Sequence, residues 1–186
     1  MSAEGVAEQL VAPSVDGQTF RDAMALLAAP ITVVTFSDHT GRRWGFTASS
    51  VTSVSLDPPL ITVGIAHTSS CYRALAVAPE FVVNVLSDRH RAVATRFAAR
   101  GLDRFAEGGF VRWPDSMLPY LADAHLLLRC RPTQLVPVGD HDLLVGTPTE
   151  VRMSDPGKPL VWYRRDFHIV EDHCPISVNG PAGSGY

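Results

Sequence analysis

Strand-like segments dominate this sequence and constrain its fold more than any other feature. They are short runs rich in β-branched and aromatic residues, and turn-forming residues separate them. Only residues 60–86 read as strand, helix, strand, so the regular alternation of a doubly wound α/β fold is absent. The pattern favours a mainly β fold, an antiparallel barrel with peripheral helices. The predicted strands are 31–36, 47–55, 60–66, 81–86, 125–138, 141–153 and 160–170.

Three segments are predicted to form the peripheral helices. In the first, Thr19 and Asp22 have the spacing of a capping box, and an apolar stripe follows them. Pro30 is expected to end this helix, because proline cannot continue the helical hydrogen bonds. The other two helices are predicted at 70–78 and 90–100.

Composition places the chain among single-domain globular proteins. Hydrophobic residues make up 46% of the 186 residues and charged residues 19%, which allows a sizeable core. We expect a flexible arm at 1–17, one domain at 18–171 and a tail at 172–186. A net charge of −3 argues against nucleic-acid binding. The first residues do not resemble a signal peptide and no apolar run approaches ~20 residues, so we expect a cytoplasmic protein without membrane contact.

Common motifs of nucleotide-binding and metal-binding enzymes are absent from the sequence. There is no G-x-G-x-x-G after a strand, no P-loop and no G-x-S-x-G. Three cysteines without C-x-x-C spacing argue against a disulfide framework or a zinc ribbon. The nearest approach to a metal-ligating cluster is His168, His173 and Cys174, and we expect no metal there.

Residues 45–59 carry the strongest functional signal. Six of the nine residues from Thr47 to Ser55 carry a hydroxyl, and none carries a charge. A strand with one buried face alternates apolar and polar residues, whereas this one places hydroxyls on both faces. Small side chains let a planar ligand approach the backbone. The segment is therefore either a hydroxyl-rich strand that packs without a ligand, or a wall that presents N–H and O–H groups to a heterocycle or a phosphate.

The string from Gly45 to Leu60 resembles the signature of the small flavin reductases that serve two-component monooxygenases. That signature reads G-[FM]-T-A-[SN]-S-x-x-S-V-S-x-[DE]-P-P-L, and every specified position fits. The similarity covers most of the chain, and it implies a split β-barrel with its site at a homodimer interface. Further matches are Phe81–Leu86, Arg96-Phe97-Ala98, Asp103-Arg104-Phe105 and Gly139-Asp140-His141.

The resemblance also implies a set of site residues. The flavin ring and ribityl chain are expected to lie against Thr47, Ala48, Ser49, Ser50, Ser53, Val54 and Ser55. Phosphates are expected at Ser69, Ser70, Arg96 and Arg104, with Phe97 and Phe105 beside them. The nicotinamide is expected to face Asp140 and His141, with Tyr163 and Arg164 on a later strand.

Residue chemistry alone leaves several of these assignments open. Ser69 or Ser70 at the start of a helix is also an ordinary N-cap. Asn84 would serve equally well as a flavin contact or as a partner for a neighbouring strand. We assign Arg100 to a solvated helical face rather than to the ligand.

The activity implied by the resemblance is flavin reduction by NADH, or by NADPH. A hydride passes directly to FAD or FMN, so no acid–base residue is required, and reduced flavin leaves for a partner monooxygenase. Three other functions remain open from the sequence. They are a flavin carrier or sensor without reductase activity, a self-sufficient flavin oxidase or oxygenase, and a structural module that binds no flavin.

Overall fold

A computed structural model describes residues 15–154 and 157–171 of the chain. Within these residues the protein is mainly β, with peripheral helices. The helices are α1 (Gly17–Met24), α2 (Tyr72–Leu75) and α3 (Arg91–Ala98), and a 3₁₀ turn (Asp88–His90) precedes α3. The strands are β1 (Ala29–Pro30), β2 (Thr32–Ser37), β3 (Arg43–Ala48), β4 (Thr52–Leu56), β5 (Pro59–Ala66), β6 (Phe81–Val85), β7 (Phe110–Arg112), β8 (Pro119–Leu121), β9 (Leu126–Val138), β10 (His141–Met153), β11 (Leu160–Tyr163) and β12 (Asp166–Ile169).

A seven-stranded antiparallel sheet forms the barrel. Its strand order is β3-β2-β6-β9-β10-β5-β4, so β3 and β4 are its two edges. These edge strands are neighbours in the chain, because β3 ends at Ala48 and β4 begins at Thr52. Four Cα–Cα steps span at most about 14 Å, so the edges must approach each other and the sheet must curl. The barrel stays open at the seam between β3 and β4, which confirms the predicted split barrel.

The core lies inside the barrel and beneath α3. All six residues of β2 are buried, so this strand is covered on both faces. On one side of β3, Phe97 of α3 is fully buried. A Cβ atom at Gly45 would lie 2.7 Å from the Phe97 ring, so glycine is what allows α3 to pack this closely on β3.

A long hairpin carries His141 to the seam. Strands β9 and β10 each have 13 residues, and Val138 pairs with His141 across the two-residue turn Gly139-Asp140. Gly139 has φ 61°, the left-handed conformation that such a turn requires of its first residue. On its other side β10 pairs with β5, and His141 lies opposite Ala66. The predicted strand pair and its connection are therefore confirmed.

The first helix differs from the sequence prediction at both ends. Its N-cap is Asp16, whose carboxylate accepts hydrogen bonds from the N–H groups of Gln18 and Thr19, so Thr19 does not cap the helix. The helix ends at Met24, and Pro30 lies in β1. Residues 1–14 of the predicted arm and 172–186 of the predicted tail lie outside the described residues.

Two segments predicted as single strands are each split in two. The 47–55 strand breaks at residues 49–51 into β3 and β4, at the barrel seam. The 160–170 strand is the hairpin β11–β12, which turns at Arg164 and Arg165. Both arginines have positive φ, 49° and 62°. Glycine or asparagine usually adopts this conformation, and neither is present at this turn to indicate it in the sequence. The 70–78 helix is also shorter than predicted, since α2 has four residues.

We predict that Gly146→Ala destabilises the barrel. A Cβ atom at Gly146 would lie 2.5 Å from the ring of Phe81, which is fully buried and cannot move aside freely. Overpacking of this kind costs about 1–3 kcal/mol of unfolding free energy, which urea denaturation measures. Phe81→Leu replaces the obstructing ring with a smaller side chain. It serves as the partner variant in a double-mutant cycle.

The double variant Gly146→Ala/Phe81→Leu is expected to lose less stability than the sum of the two single variants. Additive losses, or a Gly146→Ala protein as stable as the parent, would show that the close approach between β10 and β6 does not matter.

Candidate functional site

A cleft of about 380 Å³ lies at the barrel seam, where β3 ends and β5 crosses beside it. We call it the seam cleft. Its walls come from the ends of β3 and β5, the loop after β5, the end of α3 with the segment after it, and the start of β10. The lining residues are Phe46, Thr47, Ala48, Ser49, Ser50, Gly64, Ile65, Ala66, Thr68, Ser69, Ser70, Phe97, Ala98, Arg100, Arg104 and His141.

Two of the seam hydroxyls hold the wall together and leave others free. Thr47 donates its hydroxyl to the Ala94 carbonyl of α3 at 2.6 Å. The Ser50 hydroxyl accepts from the Gly64 N–H at 3.0 Å, which ties the seam to β5. The ladder between β2 and β3 ends at Ala48, so the amides of Ser49 and Ser50 lie beyond it. In the part of the chain described, the Ser49 hydroxyl has no partner and is available to a ligand.

The loop after β5 adds two more free hydroxyls. Ser69 accepts a hydrogen bond from the Cys71 N–H at 3.2 Å, whereas Thr68 and Ser70 have no side-chain partner among residues 15–154 and 157–171. The N-cap of α2 is Cys71, and the helix has a single turn. Neither Ser69 nor Ser70 is therefore the N-cap that the sequence allowed, and a helix of one turn adds little dipole to a phosphate site. Their hydroxyls still face the cleft.

Three arginines near the end of α3 lie in different surroundings. Arg96 donates to the Arg104 carbonyl at 2.9 Å and forms an ion pair with Glu107, outside the seam cleft. Arg104 lines the cleft, but its guanidinium donates to the carbonyls of Gly45 at 2.8 Å and of Ala99. Arg100 is exposed, lines the cleft and forms no ion pair within the described ranges.

The phosphate role predicted for Arg96 therefore does not agree with its position. Arg100, which the sequence assigned to a solvated helical face, is the available cation at the cleft. Helix α3 ends at Ala98, and Ala99 is extended, so Arg100 is not on the helix at all.

His141 stands at the cleft with its ring half exposed. Its Nδ1 atom lies 2.7 Å from a carboxylate oxygen of Asp140, and this hydrogen bond lowers the pKa of Asp140 below its ordinary value. Asp140 itself is almost fully exposed and does not line the cleft. It can orient the imidazole ring, while His141 alone is in a position to touch a ligand there.

A buried carboxylate next to His141 anchors the loop after β5. Asp142 is 3% exposed and is not among the residues that line the cleft. One of its oxygens lies 2.6 Å from Nε2 of His67, and the other accepts the Tyr72 hydroxyl at 2.6 Å. The Tyr72 hydrogen bond, and after it that of His67, lowers the pKa of Asp142. Asp142 thus fixes both ends of the loop that presents Thr68, Ser69 and Ser70. The sequence analysis did not identify it.

Asn84 lies in the barrel wall and not at the cleft. It is fully buried, and its amide N–H donates to the Val33 carbonyl at 2.7 Å and to the Thr35 hydroxyl at 3.0 Å. Its side-chain oxygen accepts from the Leu121 N–H at 2.7 Å. Of the two alternatives left open, the structure supports the partner to neighbouring strands.

Other predicted residues lie outside the lining of the seam cleft. Phe105 packs edge-on against Phe97 with ring centroids 5.1 Å apart, so it supports the cleft wall from behind. Tyr163 ends β11, and the Arg164 guanidinium lies 5.4 Å from its ring centroid. Strand β4 carries the remaining members, which are Ser53, Val54 and Ser55.

The lining also includes residues that sequence reasoning missed. Gly64, Ile65 and Ala66 belong to the predicted apolar strand 60–66, and no polar residue marked them as site residues. Position 64 favours glycine for a structural reason, because a Cβ atom there would lie 3.0 Å from the Ser50 hydroxyl oxygen. The others missed were Phe46, Thr68 and Ala98.

The described residues contain neither a metal-binding cluster nor a membrane-spanning helix. Within them, no group of three or more histidine, cysteine, aspartate or glutamate side chains is arranged to hold a metal ion. His173 and Cys174 lie outside the described residues. In the same part of the chain, the helices are too short and too polar to cross a bilayer.

We predict that Asp142→Asn lowers the free energy of unfolding at pH 7, because a neutral amide cannot replace a carboxylate that accepts from both His67 and Tyr72. The pKa of Asp142 is lowered on folding, so its contribution is complete above the ordinary carboxyl pKa and is lost as the pH falls through the folded value. The stability gap between the parent and the variant should therefore narrow below about pH 4. Urea unfolding across the pH range measures it.

Tyr72→Phe, which removes one of the two donors, is the matched variant and should lose less stability. An unchanged gap down to the lowest pH at which the protein folds would contradict the role assigned to the Asp142 carboxylate.

Comparison with known proteins identifies the family. The sequence model of the protein family described as the flavin reductase like domain matches residues 24–171. The NADH:riboflavin 5'-phosphate oxidoreductase of Streptomyces pristinaespiralis is 60% identical over 164 residues, which cover 88% of this chain and 93% of that protein.

Solved structures share the fold. The NADH:FAD oxidoreductase of Streptomyces globisporus C-1027, in complex with NAD and FAD fragments, has a TM-score of 0.79 and 27% identity, covering 87% of this chain and 98% of that one. BorF, the flavin reductase component of a bacterial two-component tryptophan halogenase, has a TM-score of 0.78 and 29% identity, covering 85% of this chain and 100% of that one. The prediction of an oxidoreductase acting on NADH and flavin is confirmed, and the chain belongs to the flavin reductase-like domain family.

Proposed function

We propose that this protein is an NADH-dependent flavin reductase of the cytoplasm. It reduces FMN or FAD and releases the reduced flavin to a partner monooxygenase. The family membership supports the reaction class, and the name of the Streptomyces pristinaespiralis relative supports NADH and FMN as substrates. BorF, named as a component of a two-component system, supports delivery to a second enzyme.

The observation that carries the proposal is the set of polar groups at the seam that have no partner among the described residues. Flavin has a ring edge rich in carbonyls and nitrogens, which suits the free Ser49 hydroxyl and the amides that lie beyond the β2–β3 ladder. Its phosphate suits the free hydroxyls of Thr68 and Ser70 and the unpaired Arg100 guanidinium. The residues present therefore fit the cofactor at both of its polar ends.

The protein's contribution to the reaction is alignment. Bound flavin supplies the hydride acceptor, so the chain needs no acid–base pair at the cleft. It must hold the two rings at about 3–3.5 Å, and Ser50, fixed on Gly64, keeps the wall behind the flavin ring rigid. His141, oriented by Asp140, is placed to touch the nicotinamide. Ser69 stabilises the loop after β5, where the phosphate would bind, by accepting a hydrogen bond from the Cys71 N–H.

A flavin that is delivered elsewhere must leave the cleft readily. We expect micromolar binding, which corresponds to about −8 kcal/mol. The exposed positions of Arg100 and of the His141 ring agree with a ligand held only on part of its surface.

A homodimer is part of the proposal. Helix α1 has no buried residue, although Phe20 and Met24 are apolar and lie about half exposed on it. They face a groove that also includes Ser49 and Ser50 of the seam. A second copy that covers this apolar surface would complete the wall of the seam cleft. Analytical ultracentrifugation would detect it.

The direct test is steady-state oxidation of NADH, followed at 340 nm in air with FMN, with FAD and without flavin. Flavin-dependent turnover is expected, and NADPH in place of NADH reports the nucleotide preference. Flavin binding without turnover would overturn the proposal in favour of a carrier. Product formation from an organic substrate with no partner present would indicate a self-sufficient oxygenase.

We predict that Arg100→Ala weakens FMN binding but not riboflavin binding, because only FMN carries the phosphate. Loss of a charge-assisted contact at an exposed position is expected to raise the FMN dissociation constant about five- to tenfold. Titration calorimetry with both ligands measures the difference.

Arg96→Ala is the matched control for this prediction. It should leave FMN affinity nearly unchanged and should instead lower stability, since Arg96 supports the Arg104 carbonyl and Glu107. If Arg96→Ala weakened FMN binding more than Arg100→Ala, the assignment of the free guanidinium would be wrong.

We predict that His141→Ala slows NADH oxidation far more than it weakens FMN binding. Misplaced nicotinamide is expected to reduce turnover by roughly 10- to 100-fold. The FMN dissociation constant should change less than about threefold. His39→Ala, at an exposed turn away from the cleft, is the control. Equal loss of turnover and of FMN affinity would instead make His141 a flavin contact.

A further inference from the structure

One residue outside the seam cleft bonds both chain neighbours of His141. His67 directly follows Ala66, the residue that pairs with His141 across the ladder between β5 and β10. The backbone N–H of His67 donates to the Asp140 carbonyl at 3.0 Å. Its ring atom Nε2 lies 2.6 Å from a carboxylate oxygen of Asp142. His67 therefore holds both the residue before His141 and the residue after it.

The strand register explains why the side chains of His67 and Asp142 meet. Asp142 pairs with Ile65, and His67 lies two residues beyond Ile65, so His67 and Asp142 are diagonal neighbours across the ladder. Side chains alternate between the two faces of a strand, and accordingly His141 lines the seam cleft whereas His67 and Asp142 do not. His67 is therefore not placed to touch a ligand in the cleft.

The contact between His67 and Asp142 has a defined donor and a defined acceptor. The hydrogen bond from Tyr72, and after it that from His67, lowers the pKa of Asp142, so this carboxyl group is ionised near neutral pH and can only accept. Nε2 of His67 must therefore carry the proton. The His67 ring also packs edge-on against Tyr72, with ring centroids 5.2 Å apart, which restricts its rotation.

The end of the β9–β10 hairpin is the place where such a support matters. The Asp140 side chain in its turn is almost fully exposed, so few buried contacts hold the turn. Exposed ends of elements open more readily than their middles. A displacement of about 1 Å in a group that aligns reacting partners can cost roughly 100-fold in rate. The bonds on both sides of His141 oppose such a displacement.

We propose that His67 is a positioning residue for hydride transfer, and that it acts by fixing the backbone on both sides of His141. This inference rests on the proposed function, in which His141 touches the nicotinamide. It assigns to His67 an effect on turnover that anchoring of the loop after β5 alone would not produce.

The first test compares kcat and KM for NADH, at saturating FMN, in the parent, His67→Leu and His67→Gln. Both variants keep the backbone N–H at position 67, so only the side-chain bond to Asp142 changes. Leucine has no donor, whereas the glutamine amide offers an N–H at about the reach of Nε2. His67→Leu is expected to lower kcat about five- to tenfold and to change KM and the FMN dissociation constant less than about twofold. His67→Gln should recover most of the lost kcat.

The second test is a double-mutant cycle with His141→Ala. If His67 acts through His141, the double variant His67→Leu/His141→Ala should have the same kcat as His141→Ala alone. A general loosening of the protein would instead lower kcat by the same factor in both backgrounds.

Tyr72→Phe is the matched comparison, because it removes the other donor to Asp142 and leaves the His67 bond in place. It should lower kcat far less than His67→Leu does. His67→Asn, whose shorter side chain ends before the position of Nε2, is the second variant should His67→Leu fail to fold, and it should show the same loss of kcat.

Any of four outcomes would overturn the inference. They are an unchanged kcat in His67→Leu, a kcat in His67→Gln no higher than in His67→Leu, an equal loss in Tyr72→Phe, and multiplied losses in the double variant. The parent separates this failure from that of the proposed function. A parent that reduces FMN with NADH keeps the proposed function whatever His67 does, whereas a parent that oxidises no NADH with either flavin overturns both.

Discussion

The three-residue link between β3 and β4 is the constraint on which the rest of the structure depends. Antiparallel ladders join seven strands, and the two at the sheet edges are consecutive in the chain. Residues 49–51 are too few to let those edges move far apart, so the sheet curls into a barrel that stays open at this seam. β3 and β4 do not pair with each other. Backbone groups and small hydroxyl side chains at the seam therefore lack the hydrogen bonds that a neighbouring strand would provide. The same constraint curls the sheet into a barrel and creates the seam cleft.

Some charged side chains hold the frame of the cleft together, whereas one of them, Arg100, is left available at its rim. Arg104 holds the segment after α3 against β3 through the Gly45 and Ala99 carbonyls, and Asp142 holds the loop after β5 through His67 and Tyr72. These buried or half-buried groups are satisfied within the protein. Arg100 is left unpaired at the rim, within the residues that the structure describes. A rigid frame with free groups at its edge suits a ligand that must bind in one orientation and then leave.

Much of the fold and part of the candidate site could be predicted from local sequence. The string from Gly45 to Ser50 predicted the cleft wall because its own residues form it, and Gly139-Asp140 predicted the hairpin that brings His141 to the seam. Residues 64–66 were missed because their place at the cleft depends on pairing with β10, far along the chain. Arg96 was preferred over Arg100 because it belongs to the Arg96-Phe97-Ala98 match, whereas Arg100 was expected on a solvated face of a helix that in fact ends at Ala98. The turn at Arg164 could not be foreseen, since positive φ at arginine leaves no sequence signal.

The central claim is that the seam between β3 and β4 is the flavin site. A crystal structure of the protein with FMN bound tests this claim most directly. We expect the flavin ring between residues 46–50 and 64–66, with its phosphate beside Ser70 and Arg100. Density for FMN on any other surface, with the seam cleft empty, would contradict the claim. It would also show that the unpaired groups of the seam serve some purpose other than flavin binding.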